Sequence, residues 1–96
     1  MKIPEKIRVG GHIYTIEYSK DLVRDDNRLG QVCWQKMLVL LEENQAWSSL
    51  VVSFLHETLH LIDKHYNNKA LTEDEVDSIA EGLFQVLSDM GITFER

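Results

Sequence analysis

The spacing of the apolar positions changes about halfway along the chain and predicts strands followed by helices. In the first 41 residues, β-branched and aromatic residues come in short runs bounded by turn-forming or charged residues. The runs Lys6–Val9 and 12–18 flank Gly10 and Gly11. Two glycines between such runs predict a tight β-hairpin.

Two more strands are predicted before residue 42. The charged segment 20–28 predicts an irregular connection that can hold one helical turn. Residues 29–34 predict a third strand, Gln35 and Lys36 a turn, and the apolar run 37–41 a buried fourth strand.

The second half of the chain has helical periodicity. Asn44 is the predicted N-cap of a helix that runs to about Tyr66, and residues 67–69 predict the break after it. Thr72 is the predicted cap of the next helix, with Glu75 at the spacing of a capping box, and Gly91 ends it. The predicted buried stripe of this helix is Val76, Ile79, Ala80, Leu83, Leu87 and Met90.

Strands followed by two helices predict an α+β fold. A small, mainly antiparallel sheet would pack its face against the helices. Ninety-six residues are enough for one domain with one core, so residues 1–96 are predicted to form a single minimal domain.

The first predicted helix carries the sequence His56-Glu57-Thr58-Leu59-His60, an H-E-x-x-H pattern. Residues four apart lie on one face of a helix, so both imidazoles can bind one metal ion. The intervening glutamate can then take a proton from a metal-bound water. Two histidines and a carboxylate suit Zn²⁺ and leave one position open for that water.

A chance surface pattern is the alternative to a metal site. His and Glu are common on helix surfaces, but this helix is the most apolar segment of the chain. Polar side chains on a largely buried helix need partners, and a metal would satisfy both histidines at once. The apolar flanks are Leu50, Val51, Val52, Phe54, Leu55, Leu59, Leu61 and Ile62.

A third ligand must come from outside the pattern. A close downstream histidine is rejected, because Tyr66 stands at that position and His65 points away from the shared face of His56 and His60. Carboxylates at the start of the second helix are the other option. Glu73 continues the buried stripe of that helix, whereas Glu75 belongs to the predicted capping box but stays an alternative ligand.

Composition narrows the class of protein further. A net charge of −6 without a Lys/Arg cluster argues against a nucleic-acid partner. The sequence has no transmembrane-length apolar run, and its first eight residues have no apolar signal core, so we expect a cytoplasmic protein without a membrane partner. Cys33 is the single cysteine; it is expected to be a small buried hydrophobe, with a thiolate near the metal as the alternative.

With these motifs in place, the chain resembles the gluzincin type of zinc metallopeptidase. That family pairs H-E-x-x-H with E-x-x-x-D on a following helix, and Glu73-x-x-x-Asp77 matches this second pattern. The resemblance implies that Glu73 is the third zinc ligand and that Asp77 orients a ligating histidine. The overall form, over roughly residues 29–91, is similar to small phage- and prophage-encoded members and to the ImmA/IrrE-like group.

The chain departs from the family pattern after the second helix. Larger relatives carry a downstream His or Tyr that stabilises the oxyanion, and residues 92–96 contain neither. Tyr66 or His65, at the end of the metal helix, are the remaining candidates for this role.

The expected function is peptide-bond hydrolysis with Zn²⁺ on His56, His60 and Glu73 and with Glu57 as general base. The strand nearest the metal helix, in residues 30–34, would offer its free edge to an extended peptide. Trp34 would flank the cleft, with a core or sheet-face aromatic as the alternative. Two alternatives stay open: a zinc-binding interaction module without useful hydrolysis, and a structural phage protein that zinc stabilises. Substrate, physiological metal and oligomeric state are not specified by the sequence.

Overall fold

The computed structural model has the predicted α+β architecture: a four-stranded sheet followed by two long helices. It describes residues 1–26 and 28–95, except for the side chains of residues 25 and 26. The strands are β1 (Lys6–Val9), β2 (His12–Ser19), β3 (Gly30–Cys33) and β4 (Leu38–Glu42). The helices are α1 (Leu22–Asp26), α2 (Trp47–Tyr66) and α3 (Glu73–Asp89).

The sheet has the order β1-β2-β4-β3 and is antiparallel in two of its three strand pairings. β1 and β2 form the predicted hairpin, and both glycines of its turn have positive φ. The central pair, β2 and β4, is parallel, with Ile16 opposite Val39. β3 therefore lies at one edge of the sheet, and among the strands of the described residues it pairs only with β4.

The core lies between one face of the sheet and α2. Leu41 and Leu61 are completely buried, and Val39 and Val51 are almost so. α3 packs mainly on α2 through Val76 and Ala80, which are both fully buried. α2 thus lies between the sheet and α3, so its side chains can reach both.

The helix boundaries agree with the sequence prediction at three of four ends. α2 ends at Tyr66, Thr72 caps α3 in a complete capping box with Glu75, and Gly91 follows the last turn with φ of 78°. The prediction of Asn44 as N-cap is wrong. α2 begins at Trp47 after Ala46, because Glu42 Oε2 accepts the main-chain N–H of Asn44 at 2.9 Å and holds this segment outside the helix.

Two other details differ from the prediction. The third strand ends at Cys33, and residues Trp34–Lys36 form a 3₁₀ turn that closes with Met37 in the left-handed region. The predicted buried stripe of α3 is also too wide, because Ile79 is 43% and Met90 67% exposed. α3 packs mainly on α2, so only a narrow face of it enters the core, and Phe84 contributes to that face.

Candidate metal centre

Three predicted ligand residues meet in one cluster between α2 and α3. His56 Nε2 and His60 Nε2 lie 3.0 Å apart, on successive turns of α2. Glu73 Oε1 lies 2.7 Å from His56 Nε2, and Glu73 Oε2 lies 3.1 Å from His60 Nε2. Over the described residues, these three side chains form the cluster of donors that could hold a metal ion.

The helical hairpin is what brings Glu73 to the histidines. α2 ends six residues after His60, and α3 begins at Glu73 itself. The segment between the helices is held by Asp63, whose Oδ1 accepts the Asn67 side-chain amide at 2.9 Å and the Leu71 N–H at 3.2 Å. Asp63 is 4% exposed, so this short connection is fixed from inside the fold.

The donor set fits a tetrahedral divalent ion in size and in chemistry. Bonds of about 2.1 Å to nitrogen and oxygen place tetrahedral donors about 3.4 Å apart. The observed separations of 2.7–3.1 Å need to open by about 0.3 to 0.7 Å to match that spacing. Two imidazoles and one carboxylate also leave a fourth position for water or substrate.

Asp77 fixes the orientation of one imidazole. Its Oδ1 lies 2.8 Å from His56 Nδ1, one helical turn beyond Glu73. A proton on Nδ1 that is donated to Asp77 leaves the lone pair of Nε2 directed into the cluster. The contact is the one that the family resemblance implied for Asp77.

Glu75 has a different position. Its Oε1 accepts the N–H of Thr72 at 2.8 Å, and its own N–H donates to Thr72 Oγ1 at 3.1 Å. Both contacts belong to the capping box, so the side chain is engaged at the end of α3 and is absent from the donor cluster.

The two glutamates of the site have carboxyl pKa values that are shifted in opposite directions. Burial raises the pKa of Glu57, and the nearby Glu73 carboxylate adds to this, while His56 and His60 act in the opposite direction. Burial also opposes ionisation of Glu73, but His60 and His56 outweigh it and lower the pKa of that carboxyl. Glu73 is therefore held as an anion suited to a cation, whereas Glu57 is a more basic carboxylate.

Glu57 lies against the edge strand. A Cβ built on Gly30 would come within 2.9 Å of Glu57 Oε2 and 3.1 Å of Glu57 Cγ. The missing side chain at position 30 thus provides the room that the Glu57 carboxylate occupies. Glu57 Oε2 lies 3.9 Å from His56 Nε2, which puts the carboxylate next to the donor cluster.

A cleft runs past this cluster, with walls from β3, α2 and α3. Gly30, Val32 and Trp34 line it on the sheet side, and Trp34 also packs against the core. Two cations lie over the Trp34 ring: Lys64 Nζ at 4.2 Å and Lys69 Nζ at 5.7 Å from the centroid. These contacts help to hold the Trp34 ring in the wall of the cleft.

The main-chain groups of β3 that do not pair with β4 face the open edge of the sheet beside this cleft. Leu29 C=O accepts the N–H of Glu42 at 2.9 Å, one residue beyond the Gly30–Leu41 pair. Hydrogen-bonded and non-bonded pairs alternate in an antiparallel ladder. Gly30 and Val32 therefore direct their N–H and C=O groups away from β4, towards the open edge.

The two predicted oxyanion candidates lie elsewhere. Tyr66 OH accepts the N–H of Gly10 at 2.9 Å, and His65 Nε2 lies 2.7 Å from Tyr14 OH. Both contacts tie the end of α2 to the β1–β2 turn, and neither residue is among the described residues that line the cleft. The last turn of α2 directs both side chains to the sheet, so the structure does not bring either candidate into the cleft.

Sequence reasoning missed several residues of the site. Arg28 lines the cleft, and its positive charge acts on Glu57. Glu81 and Phe84 line the α3 wall, and Glu81 continues the four-residue spacing of Glu73 and Asp77, a signal that the sequence does contain. Cys33 is half-buried on β3 and is not among the described lining residues.

Comparison with known proteins adds no assignment to this geometry. The chain matches no protein-family model, and searches of curated proteins and of solved structures give no significant match. In the part of the chain that the structure describes, no helix combines the length and apolar character that crossing a membrane requires.

Proposed function

We propose that this protein is a zinc-dependent peptidase of the gluzincin type. The observation that carries the proposal is the joint placement of His56, His60 and Glu73 with Glu57 beside them in an open cleft. A chance H-E-x-x-H on a helix surface would not bring a carboxylate from another helix within 2.7 Å of one of its histidines.

Zinc is the metal that the donor set favours. Two imidazole nitrogens and one carboxylate oxygen with an open position are typical of catalytic zinc sites. When bound there, zinc supplies a Lewis acid that polarises a carbonyl and makes water a nucleophile near neutral pH.

The chain supplies the proton transfers and the substrate position. Glu57 takes a proton from the attacking water and passes it to the leaving amine, a role that a carboxyl with a raised pKa suits. An extended peptide would pair with the outward main-chain groups of Gly30 and Val32, which lie along the same cleft. Such pairing orients the substrate without demanding a particular side chain.

A peptide-library cleavage assay on the zinc-loaded protein tests the proposal. We expect cleavage by the wild type and loss of cleavage with zinc retained in Glu57→Gln, which keeps the size of the side chain but cannot accept the proton. Protein purified without added zinc should contain about one zinc per chain, as the three-donor cluster predicts. No cleavage by the wild type with its zinc in place would overturn the peptidase.

A zinc-binding module without turnover is the second candidate. One observation favours it: His65 and Tyr66 contact Tyr14 and Gly10 and so supply no oxyanion donor to the cleft. Arg28 is a cationic residue of the cleft lining that could take that part instead. Full zinc content together with an inert wild type would select this second candidate.

A further inference from the structure

The α3 wall of the cleft carries a carboxylate with no role in the donor cluster. Glu81 lies four residues beyond Asp77 and eight beyond Glu73, so all three carboxylates line one face of α3. Glu73 contacts both histidines and Asp77 contacts His56. No hydrogen bond or ion pair engages the Glu81 carboxylate with any residue that the structure describes.

The surroundings of Glu81 are apolar as well as acidic. Val52 of α2 and Phe84 of α3 line the same cleft as Glu81, and both are half-buried side chains that pack against the core. Phe84 lies three residues beyond Glu81, on the same face of α3. Ser48 and Ser49 line it too, on the first turn of α2. This part of the cleft therefore presents fixed apolar walls, small hydroxyl groups and one carboxylate at the solvent boundary.

An apolar wall with a carboxylate at its end fits a side chain with an aliphatic stem and a cationic tip. Lysine and arginine lay their methylene groups along apolar surface and keep the charge at a polar boundary. A neutral apolar side chain would fill the walls but leave Glu81 without a partner. An acidic side chain would be repelled by Glu81, Asp77 and Glu73 together.

The spacing along α3 agrees with a position close to the reacting bond. Eight residues at a rise of 1.5 Å put Glu81 about 12 Å along the helix axis from Glu73. One or two residues of extended peptide, about 3.3 Å each, together with a long side chain cover this distance. The net charge of −6 on the whole chain also favours the approach of cationic peptides.

We propose that Glu81, Val52 and Phe84 form a subsite for a lysine or arginine side chain of the substrate, so that the protein acts on basic peptides. This inference rests on the proposed peptidase function, since it names the substrate class of the same cleft. Glu81 is the specificity-determining residue, and Val52 and Phe84 hold the stem of the substrate side chain.

Matched peptides provide the test. Lysine, norleucine or glutamate is placed in turn at each position of an alanine-rich octapeptide, and cleavage by the zinc-loaded wild type is measured as kcat/KM. Norleucine keeps the aliphatic stem and removes the cation. At one position we expect lysine to be favoured over norleucine by about fivefold, which corresponds to about 1 kcal/mol for one partly desolvated ion pair.

Glu81→Gln and Asp74→Asn each remove one negative charge, so a comparison of these two variants separates the subsite from the effect of net charge. Glu81→Gln should bring the lysine-to-norleucine ratio to about one, and Glu81→Lys should favour glutamate at that position. Asp74→Asn removes one negative charge from the exposed first turn of α3, outside the cleft lining, and should leave the ratio as in the wild type. A ratio that falls equally in Glu81→Gln and Asp74→Asn overturns the subsite.

A binding measurement keeps this inference separate from the peptidase proposal. The same peptides, labelled with a fluorophore, are titrated with zinc-loaded Glu57→Gln. A lysine preference in binding that Glu81→Gln removes supports the subsite even if no peptide is cleaved, in which case the peptidase proposal fails alone. Cleavage or binding with no lysine preference at any position overturns the subsite, as does the absence of both for every peptide.

Discussion

Gly30 and Glu57 occupy one space between the edge strand and the metal helix. The Cα of Gly30 faces the carboxylate so closely that a Cβ there would lie 2.9 Å from Oε2 and 3.3 Å from Cδ. Glu57 is 7% exposed, so the atoms packed around its carboxylate limit any displacement to a short distance. The position of the proposed general base thus depends on a missing side chain in a different secondary-structure element.

Gly30→Ala should therefore reduce activity more than stability. The added methyl group meets the end of a flexible side chain, so the carboxylate shifts while the strand stays in place. A displacement of about 1 Å in a catalytic group can cost about 100-fold in rate, and we expect kcat to fall by about 10- to 100-fold with zinc content unchanged. Single-turnover cleavage and metal analysis measure the two quantities.

Gly82→Ala is the matched control for this variant. Gly82 lies within α3, and a Cβ there would meet no atom within 4 Å. Alanine in a helix interior is about 1 kcal/mol more favourable than glycine, so this variant should melt at a higher temperature and keep its activity. An active Gly30→Ala with wild-type kcat would show that the close approach does not position Glu57.

Three of the acidic residues near the start of α3, Glu73, Glu75 and Asp77, should differ in their effect on zinc affinity. Glu73→Ala should weaken zinc binding most, because it leaves two protein donors. Asp77→Ala should weaken it by about 10- to 100-fold, as loss of a group that orients a ligand does. Glu75→Ala should spare the metal and cost about 1 kcal/mol of stability through the capping box.

Competition titration with a zinc-binding dye measures these affinities, and urea unfolding measures the stability. Loss of zinc in Glu75→Ala with retention in Glu73→Ala would contradict the ligand set. His12→Ala is a control for histidine content, since His12 contacts the His65 ring rather than the donor cluster.

The parts of the site that the sequence predicted are those with local signals. The four-residue spacing of His56 and His60 places both on one helical face whatever the rest of the fold does. The capping box of Thr72 and Glu75 sets where α3 begins, and this places Glu73 in its first turn. Two short-range patterns and a short connection were therefore enough to bring the three donors together.

The parts that the sequence did not predict depend on tertiary register. Glu42 is 1% exposed, and main-chain N–H groups of Asn44 and Val23 lower the pKa of its carboxyl. This buried acid explains why α2 begins at Trp47, but no spacing rule indicates a carboxylate that binds two separate backbone segments. The approach of Gly30 to Glu57 and the parallel pairing of β2 with β4 also join residues that are far apart in the sequence, so no local pattern predicts them.

Variants of Tyr66 and Gly10 test whether Tyr66 stabilises the fold and has no part in catalysis. Tyr66→Phe removes the hydrogen bond to the Gly10 N–H and should cost at most about 1 kcal/mol, with cleavage unchanged, because the hydroxyl lies outside the cleft lining. Gly10→Ala should destabilise more, since φ at this position is +61° and the His65 ring lies against it. Thermal melts and cleavage rates measure both, and a 100-fold loss of activity in Tyr66→Phe would restore the tyrosine as a catalytic candidate.

The raised pKa of Glu57 predicts a pH dependence of stability in the metal-free protein. An acid whose pKa is higher in the folded chain binds its proton more tightly there. The free energy of unfolding therefore falls as pH rises from the ordinary glutamate pKa of 4.5 through the raised pKa of Glu57. Glutamine at this position cannot ionise. Metal-free Glu57→Gln should therefore gain stability over the metal-free wild type as pH rises through this range, and urea unfolding at a series of pH values measures the difference. A difference that stays constant with pH would show that Glu57 ionises in the folded protein as it does in the unfolded chain.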